Sequence, residues 1–119
     1  MNKVIAICSD LFFAVKIQDA AKRAGLQLVS ARTVEAAVEA ARRGARLVIL
    51  DLNDREVDTV AAVRALKEDP ETAAAPLLAF LSHVDVHKAQ AAREAGCDRV
   101  MARSRFSTEV VKLLAEAAG

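Results

Sequence analysis

The sequence predicts an α/β domain in which five parallel strands form one doubly wound sheet. Three observations favour this class. Short apolar segments recur along the 119 residues, longer segments with helical spacing separate them, and capping or turn residues mark most of the boundaries. Apolar runs without polar alternation are typical of strands buried on both faces, as in a parallel sheet. Because every strand is followed by a helix, the connections are right-handed crossovers, and the expected strand order is 2-1-3-4-5.

Five segments have the length of strands and are mostly rich in Val, Ile and Leu. They are residues 3–8 (KVIAIC), 26–30 (LQLVS), 46–50 (RLVIL), 76–81 (PLLAFL) and 98–102 (DRVMA). In a flavodoxin-like sheet, helices cover both faces, so buried strands of this kind need no polar face.

The segments between the strands carry apolar residues at helical spacing. The predicted helices are residues 11–24, 33–43, 57–68, 85–95 and 107–117. The expected N-caps are Thr33, Asp85 and Ser107, and the residues expected to end helices are Gly25, Gly44, Pro70 and Gly96. The expected inward-facing residues are Phe13, Ile17, Ala20, Ala21 and Ala24 in the first helix, Val34, Ala37, Val38 and Ala41 in the second, Val57, Val60, Ala61 and Leu66 in the third, and Val110, Val111, Leu114 and Ala115 in the fifth.

The composition is that of one globular domain spanning residues 1–119. It is 54% hydrophobic and 28% charged, with a net charge of +1. A domain of this size buries roughly two-thirds of its unfolded surface, so it needs no disulfide or metal to fold. The sequence has no basic patch interleaved with aromatic residues, which argues against nucleic-acid binding, and no apolar run long enough to span a membrane. We therefore expect a cytoplasmic protein in which Cys8 and Cys97 stay reduced.

Polar side chains follow the predicted strands at the edge where a doubly wound sheet places its chemistry, close to the switch in strand order. They are Cys8, Ser9 and Asp10 after the first strand, Asp51 and Asn53 after the third, Ser82 and His83 after the fourth, and Arg103 and Ser104 after the fifth. A carboxylate at the end of a buried strand is costly unless it is paired, solvated or used. Asp51, at the end of RLVILD, is therefore the leading site candidate.

Three segments in register resemble one family. They are LVILDLN at 47–53, KEDPETAAAPLLAFLSH at 67–83 and REAGCDRVMARS at 93–104. Together they resemble the receiver domain of bacterial response regulators, the CheY-like family, over essentially the whole chain. The resemblance implies that Asp51 occupies the phosphoacceptor position and that Asn53 supplies a backbone metal contact. It also implies that Arg103 stands at a lysine position that contacts the phosphoryl group.

Other positions depart from the pattern that the resemblance implies. The acidic pair that would hold Mg²⁺ falls on Cys8 and Ser9, with Asp10 displaced by one residue. The hydroxyl position after strand four falls on Leu81, with Ser82 one residue later, and the switching aromatic position falls on Val100. Mg²⁺ prefers hard oxygen ligands, so we expect no cofactor beyond weak Mg²⁺ binding, for which the candidate ligands are Asp10, Asp51 and Asn53.

Several residues allow more than one interpretation. Asp51 is either a phosphoacceptor or a carboxylate paired with Arg103, and we favour the pairing. His83 and His87 have i, i+4 spacing that could suit a metal, but we prefer two solvated side chains. The acids that follow Asp51 do not complete a calcium loop and fit the first turn of the third helix better. These acids are Asp54, Glu56 and Asp58.

We predict a stand-alone, atypical receiver, or pseudo-receiver, that has no enzymatic activity and signals through protein–protein interaction, with phosphorylation of Asp51 doubtful. The first alternative is a conventional single-domain regulator phosphorylated on Asp51 by a histidine kinase in a two-component phosphorelay. The second is a small ligand-binding flavodoxin-like domain, which the missing Gly-rich loop after strand one disfavours. The resemblance implies that a signalling partner would bind the surface of helix four, strand five and helix five. The candidate residues there are Val84, Lys88, Arg105 and Phe106.

Overall fold

Strands and helices alternate along the whole chain, as predicted. The computed structural model describes residues 2–82 and 85–119. The strands are β1 (Lys3–Ile7), β2 (Gln27–Ser30), β3 (Leu47–Asp51), β4 (Leu77–Leu81) and β5 (Arg99–Ala102). The helices are α1 (Leu11–Arg23), α2 (Val34–Arg42), α3 (Thr59–Glu68), α4 (Val86–Glu94) and α5 (Arg103–Ala118). In the described part of the chain, no helix combines the length and the apolar character that a bilayer crossing requires.

The five strands form one parallel sheet with the predicted order β2-β1-β3-β4-β5. Apolar side chains of α1 and α5 pack on one face of this sheet, and those of α2, α3 and α4 pack on the other. All five residues of β3 are buried, since β3 lies in the middle of the sheet with helices above and below it. This arrangement explains the uninterrupted apolar run that ends at Asp51.

Side-chain caps fix where most helices begin. Thr33 accepts a hydrogen bond from the Ala36 N–H at 3.0 Å, and Asp85 accepts one from the Lys88 N–H at 3.4 Å, which confirms both predicted caps. Asp10 caps α1 in the same way. At the other end of α1, Gly25 has a φ of 73°, a left-handed conformation that glycine adopts without a steric penalty.

The start of α5 was predicted wrongly. The helix begins at Arg103, directly after β5, and its N-cap, Ala102, makes no side-chain capping bond. Ser107 therefore lies inside the helix. Because β5 continues directly into α5, no capping residue in the sequence marks the boundary between them.

The inward face of α5 is consequently different from the predicted one. The buried residues of this helix are Phe106, Val110, Leu113 and Leu114. Val111 is 43% exposed, and Ala115 is also exposed, so both predictions were wrong. The Phe106 ring stacks on Phe80, which in turn stacks on Phe13, and this contact fixes the rotation of the helix about its axis.

The acidic segment before α3 was also assigned to the wrong structure. The helix starts at Thr59 with Asp58 as its N-cap, and its first turn carries no acidic residue. Asp54 and Glu56 lie in the preceding loop instead. The buried face of α3 includes Ala62 and Val63, which the sequence prediction omitted.

Candidate functional site

A cleft of about 470 Å³ lies at the carboxyl ends of the central strands, where the strand order predicts it. It gathers most of the site residues predicted from the sequence. Its lining residues are Ser9, Asp10, Asp51, Asn53, Asp54, Arg55, Glu56, Ser82 and Arg103. Leu81 was expected to line the site, but its side chain is buried in the core on the α4 side of the sheet.

Both carboxylate oxygens of Asp51 contact neighbouring groups, and the residue is only 2% exposed. Its Oδ1 accepts a hydrogen bond from the Asn53 N–H at 2.9 Å and lies 3.7 Å from Arg103 Nη2. Its Oδ2 lies 3.9 Å from the Cys8 thiol sulfur, which donates to it. The predicted pairing with Arg103 is therefore confirmed, as an ion pair whose length exceeds that of a hydrogen bond.

Burial dominates the electrostatics of this carboxylate. It raises the pKa of Asp51 above the ordinary value, while the Asn53 N–H and the Arg103 charge act in the opposite direction. Burial and the neighbouring charge of Asp51 also raise the pKa of the Cys8 thiol to about 12. Cys8 is therefore a protonated thiol at neutral pH, which suits its role as a hydrogen-bond donor.

Arg103 and Asn53 join the ends of three strands. The Arg103 guanidinium lies 5.3 Å from the centre of the Phe13 ring and donates to Asn53 Oδ1 at 3.5 Å. Asn53 Oδ1 also accepts from the Ser82 N–H at 2.7 Å, and its Nδ2 donates to Asp85 at 3.3 Å. The side chain of Asn53 thus connects β3 to the start of α4, a role that the sequence did not indicate.

Asp54 is a site residue that the sequence prediction missed. Its Oδ1 accepts from both the N–H and the hydroxyl of Ser9, each at 2.7 Å. Its Oδ2 accepts from the N–H groups of Glu56 and Val57 at 3.1 and 3.0 Å. Burial acts to raise the pKa of Asp54, but these hydrogen bonds outweigh it and hold the pKa below its usual value. An aspartate whose side chain accepts from backbone N–H groups two or three residues later is a common turn feature. This preference of aspartate for turns was the signal in the sequence that could have identified Asp54.

Asp10 lines the cleft but is engaged with its own helix. Its Oδ1 accepts from the Phe13 N–H at 3.2 Å. Among residues 2–82 and 85–119, no group of three His, Cys, Asp or Glu side chains is arranged to hold a metal ion. From the sequence, His83 and His87 were predicted to be two solvated side chains. This prediction lies partly outside the described residues, because His83 is not described.

Thr59 is a second residue that the prediction overlooked. Its side chain is 3% exposed and its hydroxyl donates to the backbone oxygen of Asp51 at 2.9 Å, which anchors the end of β3 to the start of α3.

We expect Thr59→Val to lower the free energy of unfolding by about 0.5–1.5 kcal/mol, because it removes a buried hydrogen bond and leaves the Asp51 carbonyl with the Asp54 N–H, at 3.1 Å, as its donor. Urea unfolding checks this. The matched control is Thr108→Val, whose hydroxyl makes an exposed bond within α5 and whose loss should change stability by about 0.5 kcal/mol or less. Equal losses in the two variants would contradict the anchoring role.

The predicted partner surface is only partly available. Lys88 and Arg105 are exposed on α4 and α5. Phe106 is 0% exposed, so its assignment to a contact surface was wrong: it packs against Phe80 in the core. Val84 lies outside the described residues.

Comparison with known proteins gives a consistent structural answer. No family model and no curated protein sequence matches the chain. Among solved structures, a putative response regulator from Chloroflexus aurantiacus has a TM-score of 0.81 and 19% identity, covering 98% of this chain and 97% of its own. The signal receiver domain of a response regulator from Bermanella marisrubri has a TM-score of 0.79 and 18% identity, with 99% and 98% covered.

A third solved structure is similar to the same extent. The chemotaxis response regulator CheY4 of Vibrio cholerae has a TM-score of 0.78 and 19% identity, and the match covers 98% of each chain. Identities at this level carry information about the backbone and not about individual site residues. The chain has the fold of the receiver domains of response regulators, the CheY-like fold.

Proposed function

We propose that this chain is an atypical receiver domain that acts in signal transduction through protein–protein interaction, without enzymatic activity and without a requirement for phosphorylation at Asp51. The fold supports a role in two-component signalling. The observation that carries the rest is the state of Asp51: it is 2% exposed, and each of its oxygens already has a partner. A bacterial and cytoplasmic setting stays a prediction from the sequence.

The charges around Asp51 argue against its acting as an acceptor. Phosphoryl transfer places additional negative charge at the receiving carboxylate, and its catalysis depends on positive groups that stabilise that charge. Besides Asp51 itself, three acidic side chains line the cleft, against the two arginines Arg55 and Arg103. Cys8 adds a neutral thiol beside Asp51.

We propose that partner binding does not depend on the hydroxyl and aromatic side chains that the resemblance implies for a conformational switch. In the position where the resemblance implies a hydroxyl, Leu81 is buried and cannot donate a hydrogen bond. Val100, in the aromatic position, is too short to move between two pockets. A ligand shifts a conformational equilibrium only through different contacts in the two states. We therefore propose that the exposed surface around Lys88 and Arg105 is in its binding form without phosphorylation.

A conventional regulator phosphorylated by a histidine kinase is the second candidate. The cleft favours it, because Arg103 and Ser82 line the same opening as Asp51.

Incubation with Mg²⁺ and acetyl phosphate separates the two. We expect the intact mass to stay unchanged in the wild-type chain, as in Asp51→Asn. A partner bound through the α4–β5–α5 surface should also keep its affinity in Asp51→Asn. A phosphoryl mass that only the wild type acquires, or an affinity that falls about tenfold or more in Asp51→Asn with the fold intact, would favour the conventional regulator.

A further inference from the structure

Ser9 and Asp54, which we call the Ser9–Asp54 pair, connect the loop after β1 to the loop after β3. Both donors of Ser9, the backbone N–H and the hydroxyl, point at the same carboxylate oxygen at 2.7 Å. The other oxygen of Asp54 accepts two backbone N–H groups of its own loop. One ionised side chain therefore fixes both loops that border the cleft.

Receiver domains are expected to hold Mg²⁺ between these same two loops, and the residues of this chain do not fit that ion. Cys8 offers a sulfur atom, a poor ligand for a cation that selects hard oxygens. One carboxylate oxygen of Asp10 caps α1, and the carboxylate of Asp54 already accepts four hydrogen bonds. Both carboxylate oxygens of Asp51 already have partners, Oδ1 the Asn53 N–H and Arg103, and Oδ2 the Cys8 thiol.

We propose that the Ser9–Asp54 pair replaces the metal ion as the connection between the two loops, so that the cleft is assembled in the absence of any divalent cation. Hydrogen bonds to an ionised acceptor are roughly twice as strong as neutral ones, and this acceptor receives four. The inference concerns the architecture of the site and does not rest on the proposed signalling role.

Thermal unfolding with and without Mg²⁺ is the first test, in which the wild type is compared with Ser9→Asp. Mg²⁺ should leave the wild-type Tm unchanged. In Ser9→Asp a carboxylate faces Asp54 where a hydroxyl donor stood, so the Tm should fall without the ion. Mg²⁺ should then raise the Tm of this variant by about 4 °C or more, because an ion that binds only the folded state stabilises it. The proposal would be overturned if Mg²⁺ raised the wild-type Tm as much, or if Mg²⁺ left the Tm of Ser9→Asp unchanged.

Amide hydrogen exchange at residue 9 is the second test and needs no metal. In Asp54→Asn the acceptor loses its charge, and its amide nitrogen cannot accept from the loop N–H groups. We expect the Ser9 N–H to exchange about tenfold faster. Asp58→Asn is the matched control, because Asp58 caps only α3 and asparagine caps equally well. Equal exchange at residue 9 in Asp54→Asn and Asp58→Asn would refute the role of the pair.

Discussion

Phe106→Ala is expected to lower the free energy of unfolding by about 3–5 kcal/mol, the usual range for removing a fully buried aromatic side chain. Phe106 is 0% exposed, and its ring stacks on that of Phe80 with 4.3 Å between centroids and an interplanar angle of 9°. The Phe13 ring centroid lies 6.3 Å away. Alanine would leave a cavity between α1, α5 and the sheet that these rigid neighbours cannot fill.

Urea unfolding followed by circular dichroism measures this loss. Val111→Ala is the control on the same helix, because Val111 is 43% exposed and its truncation should change stability by about 0.5 kcal/mol or less. A loss below about 1 kcal/mol for Phe106→Ala would mean that the ring is not part of the core. The prediction from the sequence that Phe106 contacts a partner would then regain support.

The sequence predicted the fold well because the fold depends on patterns that are local. Short segments rich in apolar residues marked all five strands, and Thr33 and Asp85 marked two helix starts through the hydrogen bonds they accept. The start of α5 carries no such mark, since Ala102 makes no capping bond. Phe106 was misplaced for the same reason: polar residues flank it in RSRFST, and only its contact with Phe80 shows that it faces inward.

The site was predicted in outline only. The rule that parallel strands carry chemistry at their carboxyl ends located Asp51 and Arg103, and opposite charges at that edge indicated their pairing. The contacts of Asp54 and Thr59 depend on how the loop after β3 folds back, which no spacing in the sequence fixes. Asp54 in particular was assigned to a helix end because acids favour such positions, yet its four hydrogen bonds lie within and between loops.

Arg103→Ala is expected to lower the free energy of unfolding at neutral pH by about 1–3 kcal/mol. This lies between the losses typical of exposed and of buried pairs, since the Arg103 side chain is 36% exposed and that of Asp51 only 3%. Part of the loss is the contact with Phe13. The control is Arg105→Ala on the same helix, which removes a 60% exposed partner of Glu109 and should cost about 0.5 kcal/mol or less.

A double-mutant cycle with Asp51→Asn isolates the charge pairing from the packing. Asparagine keeps an oxygen for the Asn53 N–H but carries no charge that needs Arg103. Arg103→Ala should therefore cost less in the Asp51→Asn background, with a coupling of about 0.5–2 kcal/mol. Additivity within about 0.3–0.5 kcal/mol would show that the 3.7 Å contact contributes nothing.

The pH dependence of this cost gives an independent check on Asp51. Because burial raises the pKa of Asp51, the folded state keeps a proton that the unfolded state releases near the ordinary value of 3.8. The buried charge therefore destabilises the fold only as the pH rises from that value through the raised pKa, and Arg103 offsets this effect only where Asp51 is ionised. The cost of Arg103→Ala should thus be largest at neutral pH and shrink toward about pH 4. In Asp51→Asn it should be the same at both pH values, and an equal pH dependence there would assign the effect to another group.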